Sequence, residues 1–491
     1  MEGSTSVLSR EELVRLVLQL QEELAELRAE NQRLKTRVAE LEGRNPTPRL
    51  DQSYSVTAEE KRREQPLSTA PKKRHRQKSE RRGRRPNQEK IDLADSHELV
   101  LPAGFDLQEC HFVRERPVWR IIDGKATVVV YEIWHGPGGE KGTIEGVQPR
   151  SEFGTEIHVA VAFLVSIVGL SIDKVCAELN FFWQLQLSKS QADALLNQLA
   201  AQWQGEFESL CELLAVSAVV HTDETSWSIN SVWAFLSEKA RVLVFGCHKD
   251  GATLAQIVPK DSFAGIVISD DAAVYQGFTN AQKCWAHLLR KAIRLTLLYP
   301  ENQEYRSFLD GLLAVFYRAK RFAADGRLGE AGRESRVSTL FDELSNLCVV
   351  RCGADFSDND AFIGPVDEND REFYNLVHEV ARLMCDAELF TFVLHPEASA
   401  TNNEAERSLR GAAMDRRTGR TSKTPRGARR RTILMSVLES LKLHLPSFTL
   451  ASVLGEIKSW TPGKSLFSRM LISGGLDPPI HSRLDRLIPA S

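Results

Sequence analysis

Along the first forty or so residues the apolar positions recur every seven. Leu13, Leu20, Leu27, Leu34 and Leu41 take one seam position of the heptad and Val17, Leu24, Asn31 and Val38 the other, the pattern of a coiled coil whose stripe a lone helix leaves exposed. Asn31 costs stability at the seam but favours a partner able to pair with it. Residues 8–43 are therefore expected to be a dimerisation helix, with Leu13, Leu20, Leu27, Asn31, Leu34 and Leu41 at its interface. The alternative is an amphipathic helix packed on its own chain. Gly43 and Pro46 end the pattern, and residues 44–96 show no periodicity, which predicts a basic disordered linker.

From 97 to 150 the β-rich runs Val118–Ile122 and Ala126–Trp134, separated by Asp123-Gly124, predict a hairpin in a small β module. Residues 151–214 turn helical, with breaks at Gly169-Leu170-Ser171 and Leu187-Ser188 and with Ser171 and Ser188 as expected N-caps. Consecutive short helices make this segment a candidate helix-turn-helix and DNA-binding region, although helical hairpins also occur in proteins that never touch DNA.

After residue 215 short apolar runs alternate with helical stretches. Ala218 to His221 reads as a strand delivering Asp223, Ser231–Leu236 and Arg241–Phe245 as an antiparallel pair, and Ala252–Val258 as a short helix. Gly265 to Ile268 reads as a buried strand delivering Asp270, Gln282–Cys284 as a fifth strand, and a helix begins near Trp285. The expected order is strand, strand, strand, helix, strand, helix, strand, helix, that of a ribonuclease-H-like α/β domain. The chain as a whole is then multidomain α+β: an N-terminal coiled coil, a small β module, a helical segment and that α/β domain.

Composition bounds the picture without deciding it. A chain of 491 residues, 42% hydrophobic and 26% charged, holds about three folded units and is neither wholly disordered nor a membrane protein. The longest nearly apolar stretch, Ile157–Leu170, is shorter than a bilayer span and carries His158. Met1–Arg10 has no apolar core of a signal peptide, so a cytoplasmic chain, nucleoid-associated when bound, is expected. Eight cysteines without a C-x-x-C pair argue against a disulfide framework or a zinc ribbon.

The net charge is only −3, but its distribution is uneven: Lys61–Arg85 holds twelve Lys or Arg against two acids, and Arg407–Arg431 holds ten against Asp415 alone. Such blocks mark anion-binding surfaces. Lys72, Lys73 and Arg74 in the first, and Arg407, Arg410, Arg416 and Arg417 in the second, are the candidate contacts to a DNA backbone.

In a sheet of the expected order the first and fourth strands are neighbours, so Asp223 and Asp270 converge although 47 residues separate them. A third acid, Glu406, lies on a helix where positions 402, 406 and 410 share a face. Clustered carboxylates repel one another unless a divalent cation neutralises them. Magnesium suits an oxygen-only site, with manganese able to substitute, and two ions about 4 Å apart can activate a nucleophile and stabilise a leaving oxygen. Singly, each acid has a plain reading: a strand-end turn residue for either aspartate, a solvated partner of Arg410 for Glu406.

At His221-Thr222-Asp223-Glu224-Thr225, Ser269-Asp270-Asp271, Cys284-Trp285-Ala286-His287 and Asn402-Asn403-Glu404-Ala405-Glu406-Arg407 the chain resembles the DDE transposases of the insertion-sequence-sixty-six family. The resemblance implies Asp223, Asp270 (not Asp271) and Glu406 (not Glu404) as catalytic, metal-binding acids. It also implies a helical insertion over 289–394 that divides a catalytic domain of residues 215–288 and 395–450, leaving 451–491 as a C-terminal tail. It assigns no chemistry to Cys284 and His287. Members often carry a cysteine-rich zinc module near 97–150, whereas only Cys110, His111 and His135 stand there, too few for a structural zinc to be expected. The implied activity is hydrolysis and strand transfer at the ends of an insertion sequence, by a homodimer or higher oligomer acting on element ends and target DNA, with accessory proteins of the same element as further partners. The rival readings are a catalytically silent DNA-binding regulatory dimer and a ribonuclease-H-like junction nuclease.

Overall fold

The computed structural model describes residue 33 and residues 87–352, 370–460, 464–477, 479 and 482–488. The heptad positions from Leu13 to Leu41 and the basic residues Lys72, Lys73 and Arg74 lie outside these. After a short helix α1 (Asn87–Ile91), strands β1 (Ser96–Val100), β2 (His111–Ile122) and β3 (Lys125–His135) form a sheet in the order β1-β3-β2. The hairpin is there, longer than expected, and its turn residues Asp123 and Gly124 both have positive φ, 52° and 75°, as a two-residue turn matching strand twist requires. Cys110 precedes β2, and His111 faces His135 at the open end of the hairpin with ring centroids 6.0 Å apart.

Three helices follow: α2 (Thr155–Ser166), α3 (Ile172–Trp183) and α4 (Lys189–Ala215). Both expected caps are made, since Ser171 accepts the Lys174 N–H and Ser188 forms a capping box with Gln191. The last helix is far longer than its predecessors, because Leu195, Leu199, Trp203, Phe207, Leu210 and Leu214 repeat at three- and four-residue spacing and are all buried. It is the central beam against which later elements pack.

The second sheet comprises β4 (Val219–Ser226), β5 (Ser231–Leu236), β6 (Arg241–Cys247), β7 (Ile266–Ser269) and β8 (Ala281–Lys283), with helix α5 (Gly251–Ile257) between β6 and β7. Its order is β6-β5-β4-β7-β8. The first three strands are antiparallel, and β4 pairs in parallel with β7 (Val219 with Ile266, His221 with Ile268). One expectation is corrected. No α-helix lies between β7 and β8; the short crossover holds only a 3-10 turn at Ala273–Tyr275.

Beyond β8 come α6 (Trp285–Leu298), α7 (Gln303–Ala324), α8 (Glu330–Cys352), α9 (Arg371–Cys385) and α10 (Thr391–Leu394). They build a core of their own around Trp285, Phe308, Leu312, Phe373 and Val377, onto which Val219, Ile266 and Ile268 of the sheet also pack. The chain returns through α11 (Asn403–Arg417) and α12 (Pro425–His444). Residues expected to be a tail instead form α13 (Leu450–Lys458), α14 (Leu466–Ser473) and α15 (Arg483–Leu487). The last is anchored to buried Glu208 of α4, whose carboxylate accepts from Ser482 Oγ and from the Arg483 and Leu484 backbone N–H groups at 2.8, 2.8 and 3.1 Å. Among the described residues no helix is long and apolar enough to cross a membrane.

Both margins of the second sheet are sealed by side chains. Thr432, Ser436 and Ser440, one turn apart on α12, accept the N–H groups of Phe245, Leu243 and Arg241 on β6 at 3.0, 2.9 and 2.9 Å. Ser436 and Ser440 also donate to the carbonyls of Leu243 and Arg241. The match is geometric: four helical residues rise about 6 Å and two strand residues about 6.8 Å. At the opposite margin Thr391 Oγ1 donates to the Ala281 carbonyl, and the Lys283 N–H to the Glu388 carbonyl. Ser436→Ala should strand the N–H of Leu243 in a dry interface and cost about 1–3 kcal/mol, measurable as a lower urea midpoint with an unchanged slope.

Candidate active site

Side chains alternate along β4, so Val219, His221 and Asp223 share the face on which Ile266 and Ile268 of β7 lie. Asp270 follows one residue past the end of β7. Each aspartate accepts a nearby backbone N–H, Asp223 from Glu224 at 2.9 Å and Asp270 from Ala272 at 3.0 Å. Neither makes an ion pair or a side-chain hydrogen bond among the described residues. Their acidic neighbours do. Glu224 is held by Tyr275 and Lys249, Asp271 by Arg382, and Glu404 by Arg241 at 2.6 Å.

Glu406 lies one turn into α11, whose start is fixed by buried Asn402. The Asn402 amide donates to the Thr222 carbonyl at 2.7 Å and its oxygen meets His221 Nδ1 at 3.2 Å, while its backbone N–H donates to Cys284 Sγ at 3.1 Å. The residue thereby ties α11 to β4 beside Asp223 and to the start of α6. Glu406 Oε1 accepts from Arg290 Nη2 at 2.6 Å and lies 3.6 Å from His287 Nε2. The plain reading of Glu406 as the partner of Arg410 is corrected: its partners come from α6, and Arg410 is exposed on α11.

The electrostatics follow from this crowding. Burial first, then the charge of Glu224, with Asp270 and Glu406 adding, pushes the Asp223 carboxyl up to about 7. Burial likewise holds His287 below the ordinary imidazole range, with Arg290 reinforcing it, and raises the Cys284 thiol. Ligand atoms of Cys284, His287 and Glu406 lie within 4.8 Å of one another, a spacing that Asp223, Asp270 and Glu406 do not meet as a trio. Beside Asp270 opens a polar cleft of about 560 Å³ lined by His287, Lys291, His378, Glu379 and Arg382.

A family model described as "Transposase IS66 family" matches residues 150–430, more than half of the chain. The chain belongs to that family. No protein among the curated ones matches significantly. Membership of the IS66 transposases makes transposition the general activity, DNA the substrate, and the protein an enzyme of nuclease or transferase type.

In this family member the expected DNA contacts divide. Arg407, Arg410 and Arg417 are exposed. Arg416 is exposed too but donates to the Ser226 carbonyl at 2.7 Å, beside the end of β4. In the second half of the basic tract four arginines are structural, while Lys423 and Arg426 are exposed. Arg420 and Arg431 pair with buried Asp415, Arg429 pairs with Asp485 at 2.5 Å, and Arg430 pairs with Asp193. The candidate helix-turn-helix carries no basic stripe, since α3 has one lysine, Lys174, beside the acids Asp173 and Glu178, and α4 buries one face in the core and has Lys189 as its one basic residue. Asn402, Cys284 and His287 stand within the motifs of the resemblance without a role of their own, and Arg290 has no signal in the sequence.

Proposed function

We propose that this IS66-family transposase is of the DDE type, cutting and rejoining phosphodiesters at element ends through Asp223, Asp270 and Glu406. The observation that carries the reading is the pair of aspartates on one face of adjacent parallel strands, Asp223 within β4 and Asp270 just past β7, with no cationic partner among the described residues while their acidic neighbours have one. A strand order with the first strand central and the fourth beside it supports reading residues 215–288 and 395–450 as a ribonuclease-H-like domain, interrupted by the helices of 289–394. Residues 8–43 then serve as a dimerising coiled coil, 44–96 as a basic linker, and 97–150 and 151–214 as accessory modules.

The residues fit a pair of hard divalent cations. The donors are carboxylates, and a carboxyl held near 7 by burial and like charge is one that a cation would ionise. Bound magnesium, with manganese as a substitute, would supply Lewis acidity to the phosphate and lower the pKa of a water or 3′-hydroxyl. The chain's own part is to hold the acids in place through Asn402, to exclude competing cations from Asp223 and Asp270, and to line the approach with Arg407, Arg410, Arg416 and Arg417. The test is cleavage of DNA bearing the terminal repeats of the element, with and without divalent ions. Specific binding with uncut DNA at every ion concentration would favour a silent regulator, and preference for branched junctions a resolving nuclease.

A pH signature follows in the metal-free protein. With its folded pKa raised, Asp223 keeps in the native state a proton that the unfolded chain has released, so stability falls as pH rises from the ordinary aspartate range to about 7. The slope is at most about 1.4 kcal/mol per pH unit for one proton. Urea unfolding in chelator should show that decline in the wild type and lose this component in Asp223→Asn.

A further inference from the structure

Arg290 holds a position that the reading above leaves unexplained. Its guanidinium donates to Glu406 at 2.6 Å and to its own helix at the Ala286 carbonyl, yet its side chain is 54% exposed. The other cations along α6 pair with acids that are not proposed ion ligands, Lys291 with Glu379 at 2.5 Å and Arg294 with Glu372 at 3.7 Å. Of these three, only Arg290 is paired to a proposed ion ligand. A guanidinium that close to a carboxylate and a divalent cation on the same carboxylate are two like charges a few ångströms apart, which repel. His287 stands on the same face one turn earlier, 3.6 Å from the same carboxylate, with its Nδ1 buried and without a hydrogen-bond partner among the described residues.

Resting on the assignment of Glu406 as an ion ligand, we infer that Arg290 is an exchangeable counter-ion. In the metal-free chain it neutralises Glu406, and when cation and DNA bind together it is released to a backbone phosphate of the DNA lying across the site. A long, exposed, permanently charged side chain with a planar fork suits both partners, because carboxylate and phosphate present the same paired oxygens. Arg290 thereby couples the two binding events: metal frees the guanidinium, and the DNA phosphate that captures it keeps it from competing for Glu406.

The experiment is a calorimetric titration of manganese into the full chain without DNA, paired with the salt dependence of binding, with manganese present, to terminal DNA whose scissile linkage cannot be cleaved. Arg290→Gln should bind manganese about three- to fivefold tighter, because a competing surface ion pair is gone. The slope of log affinity for DNA against log salt should shrink by about one, the signature of one lost phosphate contact. Arg290→Lys keeps the charge and should keep the wild-type slope, which separates the exchange from damage to the helix. Unchanged or weaker manganese binding in Arg290→Gln overturns the inference, as does tighter binding with an unaltered slope. Glu406→Gln tells the two levels apart: if it binds manganese like wild type, the assignment of Glu406 itself fails, whereas its loss of binding beside an indifferent Arg290→Gln defeats the exchange alone.

Discussion

Asp223→Asn, Asp270→Asn and Glu406→Gln are each expected to lower metal-dependent cleavage of terminal DNA by roughly three orders of magnitude or more, on the scale of losing a preorganised charge from an active site. The three should not be additive, since groups that act as one unit lose most of their effect with the first removal. Binding of the same DNA should change far less, because carboxylates do not contact phosphates directly and the proposed phosphate contacts are the arginines. Their effects on folding differ in an informative way. Asp223→Asn removes a carboxylate that is costly when ionised in the fold, so the metal-free variant should be at least as stable as the wild type at neutral pH. A cleavage rate within tenfold of wild type in Asp223→Asn, with the fold intact, would remove this residue from the chemistry.

The largest stability effect is expected from Asp415→Ala. Asp415 is buried at the C-terminal end of α11 and receives both Arg420 and Arg431. Arg431 is nearly buried as well, with its guanidinium 5.1 Å from the Trp227 ring and 4.9 Å from the Phe245 ring. Removing the acid leaves a desolvated cation without compensation, which costs about 3–5 kcal/mol where both partners are sequestered. Arg420 also donates to the Gly169 carbonyl in the α2–α3 connection, so that loop should loosen together with the end of α11. Urea unfolding gives the first number, and amide exchange at Gly169 and Leu170 the second. An Asp415→Ala protein within 1 kcal/mol of wild type, well short of that range, would mean that the arginines find other anions.

These two cases mark what the sequence discloses. Most strands after residue 215 were legible because they contain short apolar runs, and Asp223 and Asp270 because they follow such runs, although β4 continues past Asp223 to Ser226. Strand β1 was not. Four of its five residues are exposed, so no alternation betrays it, and backbone pairing to β3 holds it. The basic tract misled in its second half, because a run of arginines carries no information about distant acids. Arg430 finds Asp193 at the start of α4, and Arg429 finds Asp485 in α15, pairings that exist only once the chain has folded. The C-terminal helices were hidden by brevity, each offering too few apolar positions to define a period. At the site, Asn402 reads as an ordinary helix-start residue, and its hold on Thr222, His221 and Cys284 comes from three separate parts of the chain.

The hydroxyl row of α12 on β6 has a bearing on how copies of this chain gather. An assembly that brings two DNA termini together must concentrate many identical sheets in a small volume, where any bare outer strand is a template for runaway polymerisation. With one flank of the second sheet occupied by Thr432, Ser436 and Ser440 and the other by the Glu388–Thr391 bend, that sheet offers no such template. If copies of this chain do meet, the margins of this sheet are not where they join.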